Sequence, residues 1–193
     1  MRISDLFARK PQRSVKKTRV LVCSLGDAFL ELFESDRLVY SRYYRSVDSS
    51  SFSSICDLLG SMEKGYDIVH LFCDLSPGGI LTDSKGATVS GTELIAKCCE
   101  KNVKLLWIAN GNKSDDYMNG FKLNGNRLNL VMTLDRRGQR FSKFLERLIS
   151  KISGGKTIPL AWVALAPQAK GPWEEDCPSF IFSTTRGDVK LLS

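Results

Sequence analysis

Histidine occurs once in the 193 residues, at His70, and no Cys-x-x-Cys pair is present. Zinc sites draw on clustered thiolates and imidazoles, so no metal and no other cofactor is expected. No apolar run approaches the roughly 18 residues of a spanning helix, which argues against a membrane protein and a membrane partner. The first residues carry charge but no apolar stretch and no small-residue cleavage site, so no secretory leader is expected. Without one, the six cysteines do not read as a disulfide framework. Most of Cys23, Cys56, Cys73, Cys98, Cys99 and Cys177 sit in apolar stretches, as in Val22-Cys23, Ile55-Cys56 and Phe72-Cys73. There a free thiol behaves as a small buried hydrophobe, and reduced thiols in a cytoplasmic protein are the expectation.

What is present is an ordinary globular composition, with 42% apolar and 25% charged residues and a formal charge of +7. The length suits a single core. The charge is unevenly spread. Arg2, Arg9, Lys10, Arg13, Lys16 and Lys17 oppose only Asp5 over residues 1–18, a net of +5, and residues 19–193 carry +2. Residues 1–17 therefore read as a basic, flexible tail and 18–193 as one domain. A solvated leader is the plain reading of the tail, and contact with nucleic acid is the alternative. Few aromatics are interleaved with its basic residues, so it is no stacking platform.

Thr18 to Leu25, Asp67 to Cys73 and Val103 to Ala109 are apolar runs that read as buried strands, and Asn129 to Leu134 reads as a shorter one. Ala28 to Phe33 and Arg37 to Tyr44 flank Glu34-Ser-Asp36 and read as a hairpin. Asp48 and Ser49-Ser-Ser51 offer N-caps to a helix whose apolar positions are Phe52, Ile55, Cys56, Leu59 and Met62. Ser76-Pro-Gly-Gly79 marks a turn, and Ser90-Gly-Thr-Glu93 fits a capping box opening a helix with Leu94, Ile95, Cys98 and Cys99 on one side. Phe141, Phe144, Leu145, Leu148, Ile149 and Ile152 mark an amphipathic helix, ended by Gly154-Gly155. Gly154-Gly-Lys-Thr157 lacks the earlier glycine and the preceding strand of a phosphate loop, so it reads as a helix end. The last 38 residues hold four prolines and short strand candidates at 179–183 and 188–192. Alternating strands and helices predict an α/β fold, a three-layer sandwich around a mostly parallel sheet.

An open parallel sheet binds its ligands at the carboxyl ends of its strands. Two such ends carry polar groups, Asp74 and Asn110. His70 lies mid-strand and reads as a hydrogen-bonded core residue. Three stretches together resemble the CHAT group of caspase-like cysteine peptidases: Asp67-Ile-Val-His-Leu-Phe-Cys-Asp74, Gly79 to Leu94, and Lys104-Leu-Leu-Trp-Ile-Ala-Asn-Gly111. The resemblance implies a caspase-like sandwich and places the first family histidine on His70. It puts the catalytic His-Gly on Asp74-Leu75 and the catalytic cysteine on Ala109. Thiolate attack needs sulfur and a base, and neither position supplies its part.

The expectation is a catalytically inactive caspase-like domain, more a pseudo-peptidase than an enzyme. It would act as a protein-binding or regulatory subunit, in a bacterial defence or stress system. His70, Asp74, Asn110, Trp162 and Trp173 are the candidate binding residues, with Phe180 beside them, since tryptophan is favoured at interface hot spots. Core filling is the plain reading of Trp162. The alternatives are an enzyme built on Asp74, Asp83 and Asn110, and nucleic-acid association through the tail.

Overall fold

The computed structural model describes residues 13–15, 17–112, 120–123, 127–134, 136, 141–165, 179–183 and 185–193. Trp173 and Cys177 lie outside the described residues, as do residues 1–12. Strands β1 (Arg13–Val15), β2 (Arg19–Leu25), β3 (Ser46–Phe52), β4 (Ile68–Cys73), β5 (Leu75–Ser76), β6 (Ile80–Thr82), β7 (Thr88–Ser90), β8 (Leu105–Asn110), β9 (Asn129–Thr133), β10 (Ser179–Phe182) and β11 (Val189–Leu191) alternate with helices. The helices are α1 (Leu30–Tyr43), α2 (Ile55–Ser61), α3 (Gly91–Glu100), α4 (Phe141–Ser153) and α5 (Ile158–Leu165).

The main sheet has six strands in the order β10-β9-β8-β4-β2-β3, parallel except for β10. The three runs that read as central strands are β8, β4 and β2, adjacent and flanked on both sides. Strands β4 and β8 are buried at every position, as their unbroken apolar runs require. Strands β5, β6 and β7 form a small antiparallel sheet whose first turn is Ser76-Pro-Gly-Gly79, and β1 pairs with β11. Thus residues 13–15, within the basic tail of the sequence reading, are hydrogen-bonded into the fold.

The sheet divides the core in two. Val20, Val22, Ile68, Phe72, Leu105, Trp107, Ala109 and Val131 face α1, α4 and α5. Leu21, Cys23, Val69, Leu71, Cys73, Leu106, Ile108, Leu130 and Met132 face α2 and α3. These alternate along each strand, and the three-layer arrangement follows from that alternation.

Three expectations are corrected. The stretch read as a hairpin over 28–44 is the single helix α1. Phe29, Phe33, Asp36, Tyr40 and Tyr44 are all buried and recur every three or four residues, one side of a helix. The polar Glu34-Ser-Asp36 is no turn, because Asp36 points into the core with the aromatics. The serine run does not cap a helix: Ser49, Ser50 and Ser51 lie in β3, the edge strand, and Ser54 caps α2 by accepting from the Asp57 N–H at 3.1 Å. Serines and Asp48 suit an exposed edge, where apolar residues would invite pairing with another chain. Cys56 is exposed, and the buried face of α2 is Ile55 and Leu58.

The helix α5 lies in the proline-bearing region. Pro159 stands in its first turn, where the missing N–H costs nothing. The capping box at Ser90 is formed in both directions, the Ser90 hydroxyl accepting from Glu93 N–H and Glu93 accepting from Ser90 N–H. Gly154-Gly155 ends α4, with Gly155 at φ +92°, a conformation that favours glycine.

Candidate functional site

The carboxyl edge is built by the exits of β2, β4 and β8. Strand β4 runs into Asp74 and β8 into Asn110-Gly-Asn112. Register pairs Phe72 with Ala109 and Cys73 with Asn110, so Asp74 and Ala109 stand on neighbouring strands with side chains on the same face. Asp74 is exposed and Ala109 is completely buried. A β-carbon at Gly111 would stand 2.9 Å from Asp74 Oδ1 and 3.2 Å from the Phe29 ring, so glycine is what lets the carboxylate approach this turn. Asn110 is fully buried on the opposite face, where its Oδ1 accepts from the Asn112 N–H at 3.0 Å. Its Nδ2 makes no hydrogen bond among the described residues.

Among the described residues, no thiol at this edge is primed to attack. Cys73 precedes Asp74 but points into the α2–α3 side of the core, and burial together with the Asp74 charge pushes its thiol up. Burial likewise raises Cys23 and Cys98. Asp83 belongs to the β6–β7 loop. Its carboxylate accepts the backbone N–H groups of Ile55, Lys85 and Ala87 at 3.0, 2.9 and 2.9 Å, which lowers its pKa. It holds the start of α2 against that loop.

His70 is fully buried four residues inward from Asp74. Its ring stacks on Phe72 at 4.8 Å and on Trp107 at 5.2 Å, and Nδ1 lies 3.2 Å from the Tyr40 hydroxyl. Nε2 lies 3.7 Å from Asp36 Oδ2. The other Asp36 oxygen accepts from Arg136 Nη2 at 2.9 Å and from the Ser142 hydroxyl at 2.7 Å. Arg136 is also fully buried, its guanidinium 4.7 Å over the Phe141 ring and its backbone N–H bonded to the Asn110 carbonyl at 2.9 Å. Burial raises the Asp36 carboxyl even against the Arg136 charge. Burial and that same charge hold His70 well below the ordinary imidazole range, so the ring is neutral.

This constellation of buried Tyr40, His70, Asp36 and Arg136 with half-buried Ser142 is not legible in the sequence, apart from His70. Its one sequence signal is an aspartate inside the apolar stripe of α1. The structure brings Asp74 and Ala109 together, with Asn110 on the same edge but the opposite face. Trp162 stands apart, half-buried against Phe144 at 5.5 Å and Trp107 at 6.5 Å, a packing role. Phe180 lies in β10. Among the described residues, no three His, Cys, Asp or Glu side chains gather in a group fit to hold a metal, and no helix is long and apolar enough to cross a membrane. No protein-family model matches the chain, and no curated protein matches it.

Proposed function

We propose that the chain is a catalytically inactive domain of the CHAT, caspase-like kind. In this reading it serves in the bacterial cytoplasm as a protein-binding or regulatory subunit, in a defence or stress system. One observation carries the reading. The two positions that the resemblance assigns to the catalytic pair, Asp74 and Ala109, fall on adjacent strand ends and on one face. A nucleophile–base pair needs that adjacency. The side chains there are a carboxylate and a methyl group, and the nearest imidazole, His70, is enclosed by aromatic rings.

The test is turnover of a mixed peptide library, with and without a thiol alkylator. The wild-type chain and Ala109→Cys alone give no cleavage. Asp74→His/Ala109→Cys, made in a Cys56→Ser background, places a thiol with an imidazole beside it and gains alkylator-sensitive labelling by a thiol-reactive probe that Cys56→Ser alone lacks. Cleavage by the wild-type chain that survives Asp74→Ala overturns the reading and moves the active site elsewhere.

A further inference from the structure

We infer that the Asp36–Tyr40 turn of α1 and the His70 ring form a proton-operated latch, in which a proton taken up by the ring lifts α1 from the sheet. The inference is independent of the peptidase-like reading and uses the middle of the sheet, not its carboxyl edge. Residues 36 and 40 are one helical turn apart, so both present their polar ends to the same ring. The Tyr40 hydroxyl lies 3.2 Å from Nδ1, and Asp36 Oδ2 lies 3.7 Å from Nε2. The second distance is too long for a hydrogen bond, and neither of its atoms has a hydrogen-bond partner among the described residues. All three side chains are cut off from water. The arrangement fits a neutral ring with its hydrogen on Nε2, aimed at the carboxylate, while Nδ1 accepts from the Tyr40 hydroxyl. An incoming proton lands on Nδ1 and displaces the Tyr40 hydrogen from that contact.

The charged and titratable groups around the ring are Asp36, Tyr40 and, behind it, Tyr44 on α1, together with Arg136 after β9. The flanking strands β2 and β8 bring Val22 and Trp107, and α4 brings the Ser142 hydroxyl. Asp36 is already matched by Arg136 at 2.9 Å. A charged ring would set a second cation against one carboxylate in a dry interior. The same ring in water meets no such penalty, so proton uptake favours the lifted state. The element that gives way is α1. Phe72 and Trp107 close the two faces of the ring from β4 and β8, strands bonded on both sides, whereas both ring nitrogens face α1. No side chain caps the N-terminus of α1 at Phe29. Its outer ties to α4 are the Ser35–Ser142 hydroxyl contact at 3.0 Å and the Arg42–Glu146 pair at 2.7 Å, which water can replace.

The experiment is amide hydrogen exchange of the full-length chain at pH 7 and pH 5, read on peptic fragments and corrected for intrinsic rates. Acidification raises the opening of residues 30–43 roughly 25-fold more in wild type than in His70→Gln. That ratio belongs to a ring that titrates at about 6.5 when lifted and stays neutral when seated. The raised Asp36 carboxyl pulls the other way in both proteins, so the comparison removes it. At pH 5, α1 exchanges at least about tenfold faster than β4 and β8, because the helix lifts while the sheet stays formed. A second measurement does not depend on the variant folding. The chain has one histidine, so the ring C2–H resonance of the untagged protein follows the proton directly, and it keeps its neutral position in the seated state down to pH 5. Three results would each overturn the inference. These are equal protection of α1, β4 and β8 at pH 5, an acid response of α1 that persists in His70→Gln, and a ring that titrates near 6.5 with α1 still protected.

Discussion

The two faces of the central sheet solve the same burial problem with different chemistry. The face under α2 and α3 is almost wholly apolar, with the Cys23, Cys73 and Cys98 thiols among its aliphatic residues and Asn110 at its rim. The face under α1, α4 and α5 is aromatic and encloses a carboxylate, a guanidinium and an imidazole. Apolar burial alone can hold two layers together. A buried ion pair adds little net stability, because desolvation offsets its attraction. What it does is penalise misplacement: α1 contributes Asp36, α4 contributes Ser142, and the segment after β9 contributes Arg136. These meet only when all three elements are in register.

Breaking the ion pair has the largest expected effect. Arg136→Met leaves Asp36 buried without its cation and lowers stability by about 4 kcal/mol at neutral pH, read from urea unfolding. The Asp36→Leu/Arg136→Met double variant recovers most of that loss. A single variant within about 1 kcal/mol of wild type would show that the pair is not sealed from water.

On the opposite face, Leu71→Ala costs about 3 kcal/mol, the usual result of emptying a buried aliphatic site. That loss is the same at pH 5 and pH 7, because no titrating group touches the comparison.

The polar face responds to acid. His70 is held well below its ordinary 6.5, so below pH 6.5 the unfolded chain takes up a proton that the fold resists. The stability this confers is present above pH 6.5 and is lost as the pH falls toward the folded value. Wild type is expected to lose about 2 kcal/mol more than His70→Gln between pH 7 and pH 5. The raised Asp36 carboxyl acts in the opposite sense, its contribution being lost as pH rises, and it is present in both proteins. Parallel slopes in the two titrations would show that His70 is already charged in the fold.

The smallest effect distinguishes the thiols. Cys56, exposed on α2, reacts with a thiol reagent in the native state, and Cys56→Ser changes stability by less than about 0.5 kcal/mol. Cys23, Cys73 and Cys98 react only as fast as the protein opens. Rapid native labelling of Cys23 would mean that the apolar face breathes more than its packing implies.

Legibility followed the same division. Strands β2, β4, β8 and β9 announce themselves as apolar runs, and α3 and α4 by period and cap, because burial on an apolar face writes itself into local sequence. The helix α1 is hidden in the sequence because one charged residue, Asp36, occupies a core position and interrupts the apolar stripe. Its partner Arg136 sits among polar residues one hundred positions away, and nothing local connects the two. The helix α5, Ile158-Pro-Leu-Ala-Trp-Val-Ala-Leu165, is apolar on all sides and shows no period to read. At the carboxyl edge, the adjacency of Asp74 and Ala109 followed from strand order. The burial of Ala109 did not, because it depends on α1 lying over that end of the sheet.

The pairing of β1 with β11 has a mechanical consequence. The two strands are parallel, with Arg13 beside Val189 and Val15 beside Leu191, so the chain enters at one extremity of the ladder and leaves at the other. Tension drawn through the two flanks of the domain therefore runs along the strands and loads their hydrogen bonds together, in shear, instead of opening them one after another. The Thr18 hydroxyl on the Leu192 carbonyl at 2.8 Å and the Tyr44 hydroxyl on the Leu191 carbonyl at 3.3 Å anchor the same end to the main fold. The ladder thereby acts as a clamp that resists pulling along its strands.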